Sequence, residues 1–491
     1  MTNHWQQAVQ NLWGIKGRFT QLDGEYDLNF RIDSTHILKV MREGCKVDLV
    51  DLQCRALNHL HTLPFPLVVP SQKGLLFEIC KDEKGCDRIL WVLENLDGKT
   101  WAEFKPKTPQ LIRRLGETIG ATDKKLTGFD HPALCREFKW HLPTGGWIED
   151  HLGIIADTTR QKIIRQILDD FAGIKSDLDT LPVQAIHNDI NDYNILVTGS
   201  LLEPPAISGI IDLGDMCAAP VACDLAIAAA YVVLNHPDPE SALEDLVHGF
   251  HCTYPLSPKE IDMIWPLLRL RLAVSVVNST LMAQEKPDDP YVLISQEPAW
   301  AFLECGKVNP DLIAARLRAA CGFGVNDSAQ SVIDWLGDNR GGFAQVLGRT
   351  LDSLPRTSLS VADSTLPQNP FDLTPEEAAT LGVETHGFHL GYYAEPRLIY
   401  TDKAFYKGPF KASNRRTVHI GVDIFAPAGT SVHAPLNARV AAVENRKGHL
   451  DYGGLVILHH ETETGAPFFT LYGHLNPESI GALTAGQSIE K

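Results

Sequence analysis

The chain has no basic excess: 44 Lys and Arg stand against 61 Asp and Glu, a formal charge of −17. A nucleic acid or an anionic membrane selects a basic face, so neither is an expected partner. Met1-Thr-Asn-His-Trp-Gln-Gln carries neither a basic start nor an apolar core, so this stretch is not expected to be a signal peptide. The chain has no membrane-length apolar run. The longest smooth stretch, residues 218–234, is interrupted by Asp224 and is too short to span a bilayer. It has no Cys-x-x-Cys, and no cysteine in its last 170 residues. The ten cysteines it does contain read as reduced, mostly buried thiols of a cytoplasmic protein.

What is present is globular material in quantity. At 491 residues and 44% hydrophobic content the chain is too long for one ordinary core, and two or three domains are expected.

One stretch organises the rest: Ala185-Ile-His-Asn-Asp-Ile-Asn-Asp-Tyr-Asn-Ile-Leu-Val197, completed by Gly209-Ile-Ile-Asp-Leu-Gly-Asp215. Between them lies Thr198-Gly-Ser-Leu-Leu-Glu-Pro-Pro, a loop of breakers. The flanking segments, 194–197 and 206–211, are short, apolar and partly β-branched, which predicts a β-hairpin. In an antiparallel pair the start of the first strand lies beside the end of the second. Asn194 and Asp212 are therefore expected at one end of the hairpin, with Asp189 on the loop leading in. Hard oxygen donors of this kind suit Mg²⁺, which takes one or two side chains and completes its shell with phosphates and water. Phosphoryl transfer also needs a carboxylate near the incoming hydroxyl. The bland alternative is an acid-rich hairpin without activity.

His187-x-Asp189-x4-Asn194 followed by Ile211-Asp212-Leu-Gly-Asp215 resembles the aminoglycoside phosphotransferase and choline kinase superfamily, a branch of the protein-kinase-like fold. The resemblance implies an α+β chain with a bilobal kinase-like fold, residues 1–97 forming the N-lobe and 98–325 the C-lobe. It also implies Asp189 as catalytic base, Asn194 and Asp212 as magnesium ligands, Asp215 as an accessory acid, and ATP or GTP as phosphoryl donor. Backbone recognition of the base leaves no side-chain signature, so the choice of nucleotide stays open.

The first lobe reads as strand–turn–strand–turn–strand from Phe19 to Met41, with a turn at Asp23-Gly24 and a lysine on the apolar strand Ile37-Leu-Lys39-Val-Met. By the resemblance Gly24 lets the loop approach the phosphates and Lys39 grips them. A lone lysine on such a strand otherwise snorkels to the surface. Residues 47–61 carry apolar positions at helical spacing. Asp51 on that helix either pairs with Lys39, as the family's acid does, or pairs with Arg55 at i,i+4. The strand Arg88-Ile-Leu-Trp-Val-Leu-Glu-Asn-Leu-Asp-Gly98 resembles the hinge that receives the base, with Glu94 to Leu96 carrying it.

In the second lobe, residues 108–122 and 159–178 read as amphipathic scaffold helices, and 257–283 and 289–303 as further helices, with Arg269 and Arg271 on the first of that pair. Trp140 either lines a substrate pocket or packs. Asp224 opens the helix after the magnesium motif, where it either braces the catalytic loop or caps its own helix. Ile-Asp-x-Gly-Asp-Met and the Asp-Leu-Ala helix resemble hydroxylysine-kinase-like proteins, which implies a small amino-alcohol or hydroxylated amino acid as acceptor.

Residues 326–410 shift to turn-rich composition and read as a connector, with a helix start and capping pattern at Thr374-Pro-Glu-Glu. From Arg416 the chain turns β-rich. Thr417-Val-His419-Ile-Gly-Val-Asp423, Gly453-Gly-Leu-Val-Ile-Leu-His459 and Leu471-Tyr-Gly-His474-Leu together resemble a lysostaphin-type zinc endopeptidase domain, 411–491, smaller and all-β. The resemblance makes His419 and Asp423 the first two zinc ligands and His474 an active-site histidine. Hydrolytic zinc needs three protein ligands and an open position. No histidine occurs in the 17 residues after His474, so the expected zinc site is incomplete unless His433, His459 or His460 substitutes. The chain is therefore expected to be a fragment of a larger fusion, with an aminotransferase-like enzyme following residue 491. For residues 411–491 a structural or channelling role is favoured over hydrolysis. The function expected is a Mg-nucleotide-dependent small-molecule kinase. The alternatives are a zinc peptidase with a kinase-like accessory domain, or an inactive nucleotide-binding scaffold.

Overall fold

Leu28–Ile32 (β2) and His36–Val40 (β3) pair antiparallel, with Phe30 opposite Leu38. Their apolar positions recur every second residue, so one face of the pair is continuous hydrocarbon. Phe30, Ile32, Leu38 and Val40 bury that face against Trp5, Val9 and Trp13 of a first helix, Thr2–Trp13 (α1). Lys39, one residue out of phase, is forced onto the other face, opposite Trp91 of the long strand Asp87–Glu94. Phe19–Leu22 (β1) pairs with β2, while Val68–Val69 (β4) and Glu78–Lys81 (β5) both pair with Asp87–Glu94 (β6), completing a six-stranded antiparallel sheet. The helix predicted over 47–61 spans Val47–His59 (α2) and buries Val50, Cys54 and Leu57. The computed structural model describes residues 2–22, 27–200, 203–285, 296–305, 310–362, 373–374, 377, 387–405 and 416–491. Gly24 and its turn lie outside the described residues.

The chain forms two compact units, Met1–Asn326 and Asp327–Lys491. In the first, the second lobe is built on helices. Pro109–Leu126 (α3) starts at Thr108, whose side chain accepts the Leu111 N–H at 3.3 Å. Thr158–Leu178 (α4) is capped by Asp157 in the same way, as expected where a free N–H needs an acceptor. Val221–Val232 (α5) is buried along its whole length, and Pro239–Thr253 (α6) packs tightly on α3. That contact depends on glycine. A Cβ on Gly116 would collide with the Leu246 carbonyl oxygen, and one on Gly249 with the Arg113 carbonyl oxygen. Pro258–Glu285 (α7) runs through the core with Ile264, Leu268 and Leu272 buried. Gln296–Glu304 (α8) and Pro310–Ala320 (α9) follow. The predicted start of α8, residues 289–295, lies outside the described residues. No helix among those described is long and apolar enough to cross a membrane.

Two small sheets carry the centre of this lobe. Lys99–Thr100 (β7) pairs with Ile195–Thr198 (β9), and β9 pairs with Ala206–Ile210 (β10). Val183–Ile186 (β8) pairs with Cys217–Pro220 (β11). The predicted hairpin is thus present, each strand within one residue of its expected bounds.

The second unit is strand-rich. Ala438–Arg446, Gly453–Glu461, Pro467–Leu475 and Ser488–Ile489 make a four-stranded antiparallel sheet around Val440, Val456 and Leu458. The region expected as a connector contributes packed structure here. Helix Asp327–Asp338 sets Trp335 against Phe343 and Phe468, and Ala344 N–H bonds the Pro435 carbonyl at 2.8 Å. Its turn-rich composition reflects short paired segments such as Leu390 N–H to Pro355 O, 2.9 Å. The capping pattern at Thr374 forms, with Glu377 N–H on Thr374 Oγ1 at 3.2 Å and Thr374 N–H on the Glu377 carboxylate at 2.8 Å.

Candidate active site

The hairpin closes where Ile210 faces Ile195, and Ile211 N–H then bonds the Asn194 carbonyl at 2.9 Å. That bond brings Asn194 and the neighbouring Asp212 to one end of the ladder. Asp212 adopts a left-handed backbone, φ 62°, uncommon for a residue with a Cβ. Its Oδ1 accepts Gly214 N–H at 3.2 Å and the Lys39 ammonium at 3.3 Å. Oδ2 is the oxygen left to face a cation. The Lys39 charge holds this carboxyl below the ordinary carboxylate range.

Asp189 is gripped by three side chains. Oδ1 accepts from Arg271 Nη2 at 2.8 Å, and Oδ2 accepts from Asn191 Nδ2 at 3.0 Å and Asn194 Nδ2 at 2.9 Å. The Asn194 amide also donates to the Asp189 carbonyl at 2.9 Å, which turns its own oxygen away from the aspartate. Asn194 and Asp212 therefore present an all-oxygen donor set, which fits a hard dication such as Mg²⁺. Burial pushes the Asp189 carboxyl up to about 7 against the pull of Arg271, with Asp215 and Asp212 adding to the rise.

The loop holding Asp189 is fixed from behind. His187 is 1% exposed, and burial holds its pKa below the usual range, so the ring is neutral. Nδ1 accepts Asp189 N–H at 3.2 Å, and Nε2, 3.1 Å from the Ile211 carbonyl, carries the proton that network requires. Asp224, fully buried in α5, accepts His187 N–H at 3.2 Å and Asn188 N–H at 2.6 Å. The bracing role is thus the one Asp224 plays; the helix itself starts from Pro220. Behind Asp224 lies Asp123, also fully buried. Burial raises both carboxyls, and the neighbouring Asp224 charge adds to the rise at Asp123.

Asp51 does not meet Lys39. Its Oδ2 accepts from Arg55 Nε at 2.8 Å and His131 Nε2 at 3.1 Å, the helix-surface arrangement. The physical reason is the strand register, which sets Lys39 over Trp91 and within reach of Asp212 instead. Asp215 lies 3.7 Å from Arg136, and burial pushes its carboxyl up against Arg136 and Arg271. Glu94 ends β6 with its N–H on the Leu67 carbonyl, and Leu96 packs where Gly209 has no side chain. Trp140 lies 4.4 Å over the Arg271 guanidinium, and its carbonyl accepts from Asn188 Nδ2 at 3.2 Å.

In the second unit His419 Nε2 lies 3.8 Å from Asp423 Oδ1. Asp423 Oδ2 is ion-paired with Arg397, a buried guanidinium that also grips Glu395. His474, exposed and with φ 57°, packs its ring near Tyr452. His460 is committed to the Asn437 carbonyl and Thr470. No three His, Cys, Asp or Glu among the described residues group as a metal site. A cationic guanidinium on the one acidic ligand opposes a dication there, so these residues do not fit zinc.

Arg136, Asn191 and Asp123 take part in the site without having been singled out from sequence, and Arg271 was noted there only as a charge on its helix. The one usable signal was Arg271 itself, a charge inside an apolar helix with buried neighbours on every side.

Residues 18–261 match the phosphotransferase enzyme family, and residues 417–491 match peptidase family M23. The chain is similar to the hydroxylysine kinase of Danio rerio, 26% identical over 306 residues, covering 59% of this chain and 86% of that protein. The hydroxylysine kinase of Xenopus laevis is 29% identical over 209 residues, 40% of this chain and 56% of that protein. Among solved structures, an amicoumacin kinase in complex with AMP-PNP, Ca²⁺ and Ami aligns over 62% of this chain and 93% of that one, at 15% identity and TM-score 0.48. The chain thus carries a phosphotransferase-family domain and a peptidase M23 domain.

Proposed function

We propose, from the premise of a phosphotransferase-family domain over residues 18–261, that this small-molecule kinase phosphorylates a hydroxyl of a small amino-alcohol or hydroxylated amino acid. The observation that carries the reading is the convergence of Asp189, Asn194 and Asp212 at one end of the β9–β10 hairpin, with Lys39 on Asp212. The hydroxylysine kinases it resembles support the acceptor class.

In this reading the acceptor oxygen attacks the γ-phosphorus of ATP or GTP while its proton passes to Asp189. Oδ1 is the oxygen that takes it. Oδ2 already accepts two hydrogen bonds and Oδ1 one, which leaves a lone pair. The bond from the γ-phosphorus to the bridging oxygen breaks, and the nucleoside diphosphate leaves. Lys39 orients the phosphates, and the backbone from Glu94 to Leu96 receives the base. Mg²⁺ held by Asn194 and Asp212 would neutralise charge on the β- and γ-phosphates. Asp215, steadied by Arg136, serves as the accessory acid. All ten cysteines are free thiols, which supports a reducing compartment such as the cytoplasm. For residues 411–491 we propose a structural or channelling role, supported by Arg397 on Asp423.

The test is a panel of amino-alcohols and hydroxylated amino acids with ATP and GTP, with transfer read by labelled phosphate. Transfer to at least one acceptor is expected. Tight nucleotide binding with no transfer to any member would replace the kinase reading with that of a scaffold.

A further inference from the structure

Asp212 owes its direction to an irregular piece of backbone. It stands at φ 62°, and Leu213–Asp215, which follows, is a single 3-10 turn between β10 and β11. One such turn carries little stability of its own, and its last carbonyls lack partners within it. Its internal ties are the Gly214 N–H on Asp212 Oδ1 and the Met216 N–H on the Leu213 carbonyl, both at 3.2 Å.

Arg136 supplies what the turn lacks. Its Nη2 donates to the Gly214 carbonyl at 2.5 Å and to the Met216 carbonyl at 3.4 Å, across 78 and 80 residues of sequence. These carbonyls flank Asp215, whose carboxylate lies 3.7 Å from the same nitrogen. The guanidinium lies over the Phe138 ring at 4.3 Å, and stacking of this kind fixes its plane. Phe138 in turn packs against the main core. Arg136 therefore ties a core-anchored ring to both sides of the turn. Lys39, by contrast, touches the Asp212 side chain itself, from the sheet of the first lobe. Under the kinase reading Lys39 turns to the phosphates, which leaves Arg136 as the brace.

We propose that Arg136 is a positioning residue for the divalent cation: by fixing the Gly214 and Met216 carbonyls it sets where Asp212 aims its free oxygen, and so sets the cation affinity of the site. The inference rests on the kinase reading and adds a residue to it. Removing Arg136 has two effects of opposite sign. A positive charge nearby repels a dication, so by charge alone its loss tightens cation binding. Loss of the brace frees the turn and weakens cation binding. Partners that orient a metal ligand are worth about tenfold to a hundredfold in affinity, so weakening wins if Arg136 positions. The sign of the change separates positioning from field.

The full chain is titrated with Mn²⁺ in the presence of a non-hydrolysable analogue of ATP or of GTP, and free Mn²⁺ is read by electron paramagnetic resonance. Transfer kinetics against Mg²⁺ concentration are measured in parallel. The variants are Arg136→Ala and Arg136→Lys, with folding checked by thermal melting. Arg136→Ala is expected to weaken Mn²⁺ binding by about tenfold or more, and to raise the Mg²⁺ requirement for transfer by a similar factor, with kcat largely restored at saturating Mg²⁺. Arg136→Lys keeps the charge and loses the planar, stacked group, so its smaller weakening is geometric in origin. Mn²⁺ binding that is unchanged or tighter in either folded variant overturns the proposal. Where Arg136→Ala does not fold, Arg136→Lys decides alone. Weakened Mn²⁺ binding in the variants, with a wild type that transfers phosphate to no acceptor, upholds the proposal and overturns the kinase reading instead. A wild type that takes up no Mn²⁺ with either analogue overturns both.

Discussion

Ile211 donates its backbone N–H to the Asn194 carbonyl at 2.9 Å, so Asn194 and Asp212, 18 positions apart, stand at one end of one ladder. If they hold the same cation, removing either ligand should raise the Mg²⁺ concentration needed for half-maximal transfer. Asp212→Ala is expected to raise it by tenfold or more, and Asn194→Ala by less, because a neutral amide gives the cation less charge. Chelation with EDTA should abolish transfer and added Mg²⁺ restore it. An unchanged Mg²⁺ requirement in Asp212→Ala would remove this residue from the site.

Asp189→Asn keeps the shape that Arg271, Asn191 and Asn194 surround and deletes the proton acceptor. Loss of a general base lowers kcat by about 10²–10⁴-fold. Nucleotide affinity should hold within a few-fold. A variant as fast as wild type would show that the acceptor proton goes elsewhere.

Asp123 is fully buried, and that burial, with the Asp224 charge beside it, raises its carboxyl well above the ordinary value. A carboxyl raised by folding contributes stability below its unfolded pKa, near 4, and loses that contribution as pH rises toward its folded value. Asp123→Asn removes the titration at nearly constant volume. The melting temperature of Asp123→Asn relative to wild type should therefore climb between pH 5 and pH 8. A flat difference across that window would mean that folding does not raise the Asp123 carboxyl.

Gly116 of α3 faces the Leu246 carbonyl of α6 with no room for a methyl group. Gly116→Ala forces the helices apart, an overpacking cost of about 1–3 kcal/mol. Urea unfolding should show the shift in midpoint. A midpoint equal to that of wild type would show that the crossing yields freely.

Arg397 pairs with Asp423 in the second unit. This chain, incubated with excess zinc and desalted, should retain far less than one zinc per molecule by elemental analysis. Stoichiometric zinc would show that the guanidinium gives way.

The hairpin was legible because its strands are short, β-branched and separated by a proline-rich loop, and because the ladder then dictates which residues meet. Lys39 was legible by alternation, once Leu38 and Val40 faced the core. Asp51 was not decidable, since an acid on a helix serves an i,i+4 arginine as readily as a distant lysine, and only the register separates them. Arg271 carried no periodic signature. Its inward direction follows from how α7 crosses the core, which no local pattern encodes. The role of Asp224 depended on backbone N–H groups nearly 40 residues away, and hydrogen bonds of that range leave no mark on spacing. The region expected as a connector was misleading in a similar way. Its prolines and serines serve two-residue strands such as Glu395–Pro396, too short to show alternation.

The His187 ring joins the loop of Asp189 to the strand end of Asp212 through both of its nitrogens. Such a cross-link makes Asp189 and Asp212, the proposed proton acceptor and metal ligand, a single jig. Lys39 belongs to a different sheet. Any hinge bending in the first unit therefore alters how phosphates are delivered to the jig, while the jig's internal spacing stays constant. Under the kinase reading, a change of acceptor would leave the spacing of Asp189 and Asp212 unaltered.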